Sequence, residues 1–581
     1  MNSQGVSGPE AGGKTWQRRL ISGLLLFLCA VAAVVRAAVG YNGGIWADEG
    51  FFLLVVGSPS WRAMVDFLRF HESHPPLFYA LMRVWRHVFG TGDAVALILP
   101  LIIGVAIVPV IFFCGSRLFS WRVGLIAAAL SAISPSLVEH SSQLRPYGLL
   151  PLLTLVSCYA LIVTIARGGV RYGLAYVVST ALLLYTHNWS WLVVLGQVAA
   201  VASLFAQLPT IQRSRVARDL ILCWTAVGIA YLPWLTTLLY QAQHAGHPPI
   251  FVDGWVKGAE LAMFAIPSAF VMVLFGGISA AGSGVWLAAS AFVLAAGAFL
   301  WATLSAVAVH QRGNSRDSLS SEYSSIAIRI LIVVPAAAII GAIALSWRTN
   351  LLIPRCLAML TPLVLLIIAQ WFEKQRLSSR MGAGAALGVT VLAGVVVVSI
   401  VSVVSLMNAP RSNVREVASA IARKDRPSDM VILVPEWYAA SFNHYFPPSV
   451  EQIDYPHAGR SGAVDFADVY KRVADPAPVV FLRGRIDEAR RQGKRVWLVT
   501  GRSYVRSIDA RDFAAATRYR QSPMLSAMRV GQIQHYLQSR YGAPDTSSFI
   551  GGRKPRYDEI LAYLYSPVAA GPIPAGLPAG R

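Results

Sequence analysis

Apolar stretches of about 17–25 residues, the length needed to cross a bilayer's hydrocarbon core, recur along the first two thirds of this chain. They fall at 20–40, 95–114, 124–135, 149–165, 174–185, 192–207, 220–240, 285–310, 330–347, 352–371 and 382–407. The two near 124 and 174 are short and need flanking polar residues to complete a span. In lipid every backbone polar group must find a partner inside its own segment or barrel, so runs of this kind fold as helices. The sequence therefore predicts an α-helical integral membrane protein with about eleven spans. Composition agrees: 55% of the 581 residues are hydrophobic and 14% charged, with mean hydropathy +0.54.

Arg and Lys in short loops mark the cytoplasmic side. Lys14, Arg18 and Arg19 precede the first span, and Arg117, Arg122, Arg167, Arg171, Arg213, Arg215 and Arg218 lie in later turns. Arg312, Arg316, Lys374, Arg376 and Arg380 continue the pattern. The expected order is a cytoplasmic segment 1–19, a membrane region 20–407 with a long first outer loop at 41–94, and outer loops at 139–147, 186–190, 241–283 and 348–351. The apolar segment 259–277 is read as re-entrant or interfacial, because counting it as a span would place Arg312 and Arg316 outside. The first span is too long for a secretory signal and is read as an uncleaved anchor. All five cysteines, Cys29, Cys114, Cys158, Cys223 and Cys356, fall in or beside apolar runs and are read as buried free thiols.

Polar composition begins near 408–413. Apolar runs at 430–435, 479–482 and 495–500 read as strands, alternating with helical patterns at 414–423, 485–492 and 530–540. The sequence thus predicts an α/β domain over 408–566, followed by a Pro-, Gly- and Ala-rich disordered tail at 567–581. An odd span count from an inside N-terminus makes this domain extracytoplasmic, periplasmic or extracellular. Beyond residue 407 there are 25 Lys and Arg against 16 Asp and Glu. A basic domain beside a bilayer suggests an anionic partner, a lipid headgroup or an envelope acceptor, gathered by Arg483, Arg485, Arg490, Arg491, Lys494 and Arg495. Nucleic acid is not expected on that side.

The chemistry gathers at outer loop junctions. Asp48-Glu49 follows the first span, and His74-Pro75-Pro76-Leu77 lies in the same loop. Carboxylates at a membrane boundary are costly enough to be read as functional first. Gln143-Leu144-Arg145-Pro146-Tyr147, His187-Asn188-Trp189, and Arg348 with Pro354-Arg355 sit at further outer helix ends. One arginine there can simply reach for headgroups. Several together suit a phosphate or pyrophosphate, held by charge-assisted and often bidentate hydrogen bonds. Paired carboxylates facing a diphosphate could hold Mg²⁺ or Mn²⁺; a monophosphate held by arginines has less need of an ion, so no metal ligand is assigned. A transporter or flippase is the competing reading. Its sites would lie near the bilayer midplane, often within internal repeats, whereas here the charged groups sit at the outer ends.

Asp48-Glu49, His74-Pro75-Pro76-Leu77-Phe78-Tyr79, Arg145-Pro146-Tyr147, Tyr185-Thr186-His187-Asn188 and Pro354-Arg355-Cys356-Leu357 occur in an order that resembles the protein O-mannosyltransferase and aminoarabinose-transferase family. These are polytopic glycosyltransferases of the type C fold. Cys356 stands where that family usually has Tyr. The resemblance covers 20–406 and implies transfer of a sugar from a polyprenyl-phosphate donor to an acceptor hydroxyl, with inversion, on the outer face of a bacterial inner membrane. It implies Asp48 as base, with Glu49 as a second catalytic carboxylate that orients the acceptor or binds a metal, and Arg355, Arg145 and Arg348 as ligands of the donor phosphate. His74, Tyr147, His187 and Asn188 are expected to bind substrate or shape the loops.

Overall fold

The computed structural model describes residues 9–244 except 73, 206 and 209, then 272–275, 318–346, 353–378, 383–424, 426, 428–446, 449–457, 469–505, 522–550 and 555–567. In chain order the helices are α1 (Pro9–Gly40), α2 (Ala47–Val56), α3 (Trp61–Phe70), α4 (Leu77–Phe89), α5 (Asp93–Leu118), α6 (Trp121–Ile133), α7 (Pro135–His140), α8 (Leu149–Arg167), α9 (Val170–Leu184), α10 (Ser190–Phe205), α11 (Thr210–His244), α12 (Ser318–Leu345), α13 (Pro354–Leu357), α14 (Thr361–Ser378) and α15 (Ala383–Asn408). There follow α16 (Val414–Lys424), β1 (Met430–Val434), α17 (Ala439–Tyr445), β2 (Glu451–Asp454), α18 (Val469–Ala474), α19 (Ala477–Arg491), β3 (Val496–Gly501), α20 (Ser522–Tyr541), β4 (Asp545–Ile550) and β5 (Ile560–Tyr565). They form two compact units: Met1–Tyr41 with Leu68–Asn408, and Asn42–Phe67 with Ala409–Arg581.

The first unit is helical. Among the described residues seven helical segments are long and apolar enough to cross a membrane, beginning with Thr15–Gly40 and ending with Gly388–Asn408; three shorter apolar helices are Trp121–Ile133, Val170–Leu184 and Ser190–Phe205. The chain is a multi-pass membrane protein. The expected span at 285–310 lies outside the described residues, as does nearly all of 259–277.

Small residues set the closest approaches. A Cβ at Gly115 would stand 2.8 Å from Gly124 Cα, which locks α5 against α6, and one at Gly196 would meet the Val334 carbonyl at 2.7 Å between α10 and α12. Several buried polar groups are paired. Gln197 accepts from Tyr176 at 2.9 Å and donates to Ser157 at 2.9 Å. Arg36, fully buried on α1, donates to Ser141 Oγ at 2.9 Å and to the carbonyls of Ala132 and Ser131 at 3.1 Å each. In a medium that cannot hydrate a guanidinium, those acceptors are what allow it to stay. They also tie down the corner that follows α7.

The second unit is built on a five-stranded sheet in the order β2-β1-β3-β5-β4, with β2, β1 and β3 parallel and β5 and β4 antiparallel. Every residue of β1 and β3 is buried, as expected for parallel strands covered on both faces. Val431, Leu433, Trp497 and Val499 pack with Val417, Ile421 and Phe442 on one side. Met430, Ile432 and Leu498 pack with Ile486, Val530 and Leu537 on the other.

The 479–482 run expected as a strand is helical instead, part of α19. Pro476 opens that helix, and Val479, Leu482, Ile486 and Ala489 recur at helical spacing on its buried face. A four-residue apolar run cannot by itself distinguish a strand from one turn of a buried helix. Three of the six basic residues expected to gather an anionic acceptor are engaged internally. Arg485 pairs with Glu451 and Glu488, and Lys494 with Glu451 at 2.8 Å. Arg495 holds Asp429 with both Nε, at 3.0 Å, and Nη2, at 2.6 Å.

Segment 42–67 of the first outer loop belongs to this second unit. Helix α2 lies on α17 so closely that a Cβ at Gly50 would stand 2.4 Å from the Ser441 backbone nitrogen.

Candidate active site: an arginine–histidine cluster and a carboxylate cluster

In the first unit, prolines at helix starts fix the functional side chains. A residue before proline is pushed out of the helical region. Arg145, ahead of Pro146, is accordingly extended, with φ −142° and ψ 161°, and Ile353, ahead of Pro354, is extended with φ −115° and ψ 128°. Arg355 then enters the first turn of α13. Pro76 likewise opens α4, placing His74 in the connection before it.

These segments converge on Tyr147. The Arg355 guanidinium lies 5.7 Å from its ring centre and that of Arg145 6.0 Å. His74, His140 and His187 surround the same ring with centroid distances of 6.1, 6.1 and 5.8 Å, and His74 meets His187 edge-on at 4.7 Å.

The residue that ties the cluster together is Glu72. One of its oxygens lies 2.7 Å from His74 Nδ1; the other accepts from the Tyr79 hydroxyl at 3.0 Å and lies 3.7 Å from Arg145 Nη1. Asn188 joins through Gln241, donating to its Oε1 at 2.9 Å while Gln241 donates to the Glu72 carbonyl at 2.7 Å.

Burial pulls all three histidines below the ordinary imidazole range, and the Arg355 guanidinium adds to the effect at each. They are neutral at pH 7. His187 Nδ1 accepts from the Trp189 backbone N–H at 3.1 Å, which leaves its proton on Nε2. Both ring nitrogens of His140 are buried and lack a hydrogen-bond partner among the described residues. Two guanidiniums, neutral imidazoles and a tyrosine, with one carboxylate orienting them, make a site for an anionic oxygen group.

The second unit holds Asp48 and Glu49 in the first turn of α2. Asp48 is half-buried and Glu49 fully buried. Glu49 Oε1 accepts from Arg411 Nη1 at 2.6 Å, and its Oε2 accepts from the Trp46 backbone N–H at 3.3 Å. Asp558 Oδ2 accepts from the Ala47 N–H at 2.5 Å. Burial, opposed by that N–H and reinforced by Asp48 and Glu49, holds the Asp558 carboxyl up at about 7. Trp46 stacks on Tyr557 with ring centres 4.5 Å apart.

Of the residues expected from sequence, His74, Arg145, Tyr147, His187 and Arg355 thus meet in one cluster, with Asn188 at its edge. Asp48 and Glu49 belong to the other unit, and Arg348 lies outside the described residues. Sequence reasoning missed Glu72, although it stands two residues from His74 in a loop already singled out. It also missed His140, Arg411 and Asp558. Among the described residues no three or more His, Cys, Asp or Glu side chains gather as a metal site would require.

Residues 73–235 match the family model described as dolichyl-phosphate-mannose-protein mannosyltransferase. No curated protein matches the chain as a whole. Among solved structures, ArnT from Cupriavidus metallidurans bound to undecaprenyl phosphate is 12% identical, with TM-score 0.50, over 93% of this chain and 98% of that one. The oligosaccharyltransferase AglB from Archaeoglobus fulgidus, in complex with an inhibitory peptide and a dolichol-phosphate, is 11% identical with TM-score 0.48, over 82% and 69% of the two chains.

Proposed function

We propose that this chain, whose fold is that of the type C glycosyltransferases, is a membrane glycosyltransferase that takes its sugar from a polyprenyl-phosphate carrier and passes it to an acceptor hydroxyl, with inversion at the anomeric carbon. The observation that carries this reading is the pair of guanidiniums, Arg145 and Arg355, gathered on Tyr147 among neutral histidines. The undecaprenyl phosphate bound to the similar ArnT supports a carrier of that kind.

In the reaction Asp48 takes the acceptor's proton as the acceptor oxygen forms its bond to the anomeric carbon. The bond from that carbon to the phosphate oxygen breaks. The departing phosphate keeps the electron pair, and its charge is stabilised by Arg355 and Arg145. In this reading His140 and His187 donate to phosphate oxygens, and Glu72 holds His74, Tyr79 and Arg145 in position. Glu49, committed to Arg411, supports the base and does not share its role.

Placing this chemistry on the outer face of the cytoplasmic membrane, with a cell-envelope glycolipid, polysaccharide or protein as acceptor, follows from the positions of Lys and Arg in the loops. Nucleotide sugars are confined to the cytoplasm, and a lipid-linked donor meets that need.

Three variants test the reading in purified enzyme. Asp48→Asn should remain folded and lose about 10²-fold or more in turnover. Arg355→Lys keeps the charge but loses the planar fork, so donor binding should weaken. Wild-type turnover in Asp48→Asn removes the base; unchanged donor affinity and turnover in Arg355→Ala removes the phosphate site.

A further inference from the structure

We propose that Asp558, supplied by the segment just before β5, is a positioning residue for the base: it anchors the first turn of α2 and so holds Asp48 in place. The inference rests on the reading of Asp48 as base.

The first N–H groups of a helix have no partner within it. At the start of α2 those needs are met from elsewhere. Asp558 takes the Ala47 N–H directly beside Asp48, and Glu49 takes that of Trp46 while Arg411 holds its other oxygen.

Asp558 is itself held by backbone pairing. The Asn413 N–H donates to its carbonyl at 3.4 Å, and the Tyr557 N–H donates to the Arg411 carbonyl at 3.1 Å. Arg411 N–H in turn donates to the Asn42 carbonyl at 2.9 Å, closing the ring onto the chain that leads into α2.

Charge adds a second effect. Among the described residues, Asp48 and Glu49 on α2 and Tyr438 after β1 lie close enough to interact with the Asp558 charge. With its carboxyl held at about 7, Asp558 ionises through neutral pH. The ionised carboxylate accepts the Ala47 N–H more strongly than the neutral acid does. The anchor is therefore firmer above about pH 7 and weaker below it.

The test is turnover against pH for the full-length enzyme and its Asp558→Asn and Asp558→Ala variants, with donor KM measured in parallel. Asparagine keeps an acceptor oxygen for Ala47 but cannot ionise. The wild type should show a several-fold rise in kcat through about pH 7 that is missing in Asp558→Asn. Asp558→Ala should fall about tenfold further in kcat with donor KM unchanged, because the helix start loses its anchor.

An Asp558→Asn variant that keeps the wild-type rise, or a wild type with no rise, overturns the charge role. An Asp558→Ala variant with wild-type kcat overturns the anchor. If Asp558→Ala does not fold, the Asp558→Asn profile decides alone. Activity surviving in Asp48→Asn would instead strike the base assignment and is read separately.

Discussion

Glu49 shows how far one carboxylate's role depends on its partner. Next to Asp48 in sequence, it has the same chemistry, yet it is fully buried against Arg411 at 2.6 Å while its neighbour is half-exposed. A buried ion pair contributes little net stability against apolar replacements, but removing one member strands the other at a cost of about 3–5 kcal/mol. Arg411→Ala should therefore destabilise the second unit by that amount, and Arg411→Met combined with Glu49→Gln should recover most of it. Thermal unfolding of the three proteins checks this: equal losses in the single and double variants would mean that the pair is not what holds α2. Nothing local in the sequence announces the pairing. The partners are 362 residues apart, and Ala47 and Asp558 are 511 apart.

At the scale of elements, α2, which carries the proposed base Asp48, lies against α17 at Gly50. A methyl group there would meet the Ser441 nitrogen and, at 2.8 Å, the Ala440 carbonyl carbon, both backbone atoms that cannot swing aside. Gly50→Ala should lift α2 from α17, cost about 1–3 kcal/mol, and lower kcat at least tenfold while donor affinity is kept. A variant with wild-type kcat would show that Asp48 tolerates such a displacement.

Elements were legible in the sequence where one physical rule dominated. Apolar length marked the membrane helices. The rule failed where apolar character was short or absent. The 479–482 run belongs to a helix, β2 carries Glu451, Gln452 and Asp454, and β5 joins the sheet beyond a stretch with no alternation. Most of the arginine–histidine cluster was legible residue by residue, but His140 was missed, and Glu72, which organises the cluster, looked like one more loop carboxylate.

For the whole molecule, the charge pattern predicts that the sheet-bearing part faces away from the cytoplasm. A reporter active only outside, inserted at Gly542 between α20 and β4, should give signal; a cytoplasm-only signal would require one span more or fewer. Ionic strength supplies a finer check. Of the six basic residues expected to draw in an anionic acceptor, Arg485, Lys494 and Arg495 already serve internal carboxylates. Long-range attraction should then rest on Arg483, Arg490 and Arg491 and fade as the Debye length shortens below about 8 Å.

The second unit takes its pieces from both ends of the chain, 42–67 and 409–581. Synthesis runs in one direction, so the helix carrying Asp48 leaves the ribosome early and waits for its partners while the membrane segments are made. Arg411 and Asp558 are made only after the helices of the first unit. A nascent chain that has not reached residue 558 therefore lacks the carboxylate that takes the Ala47 N–H, and the start of α2 is not yet anchored.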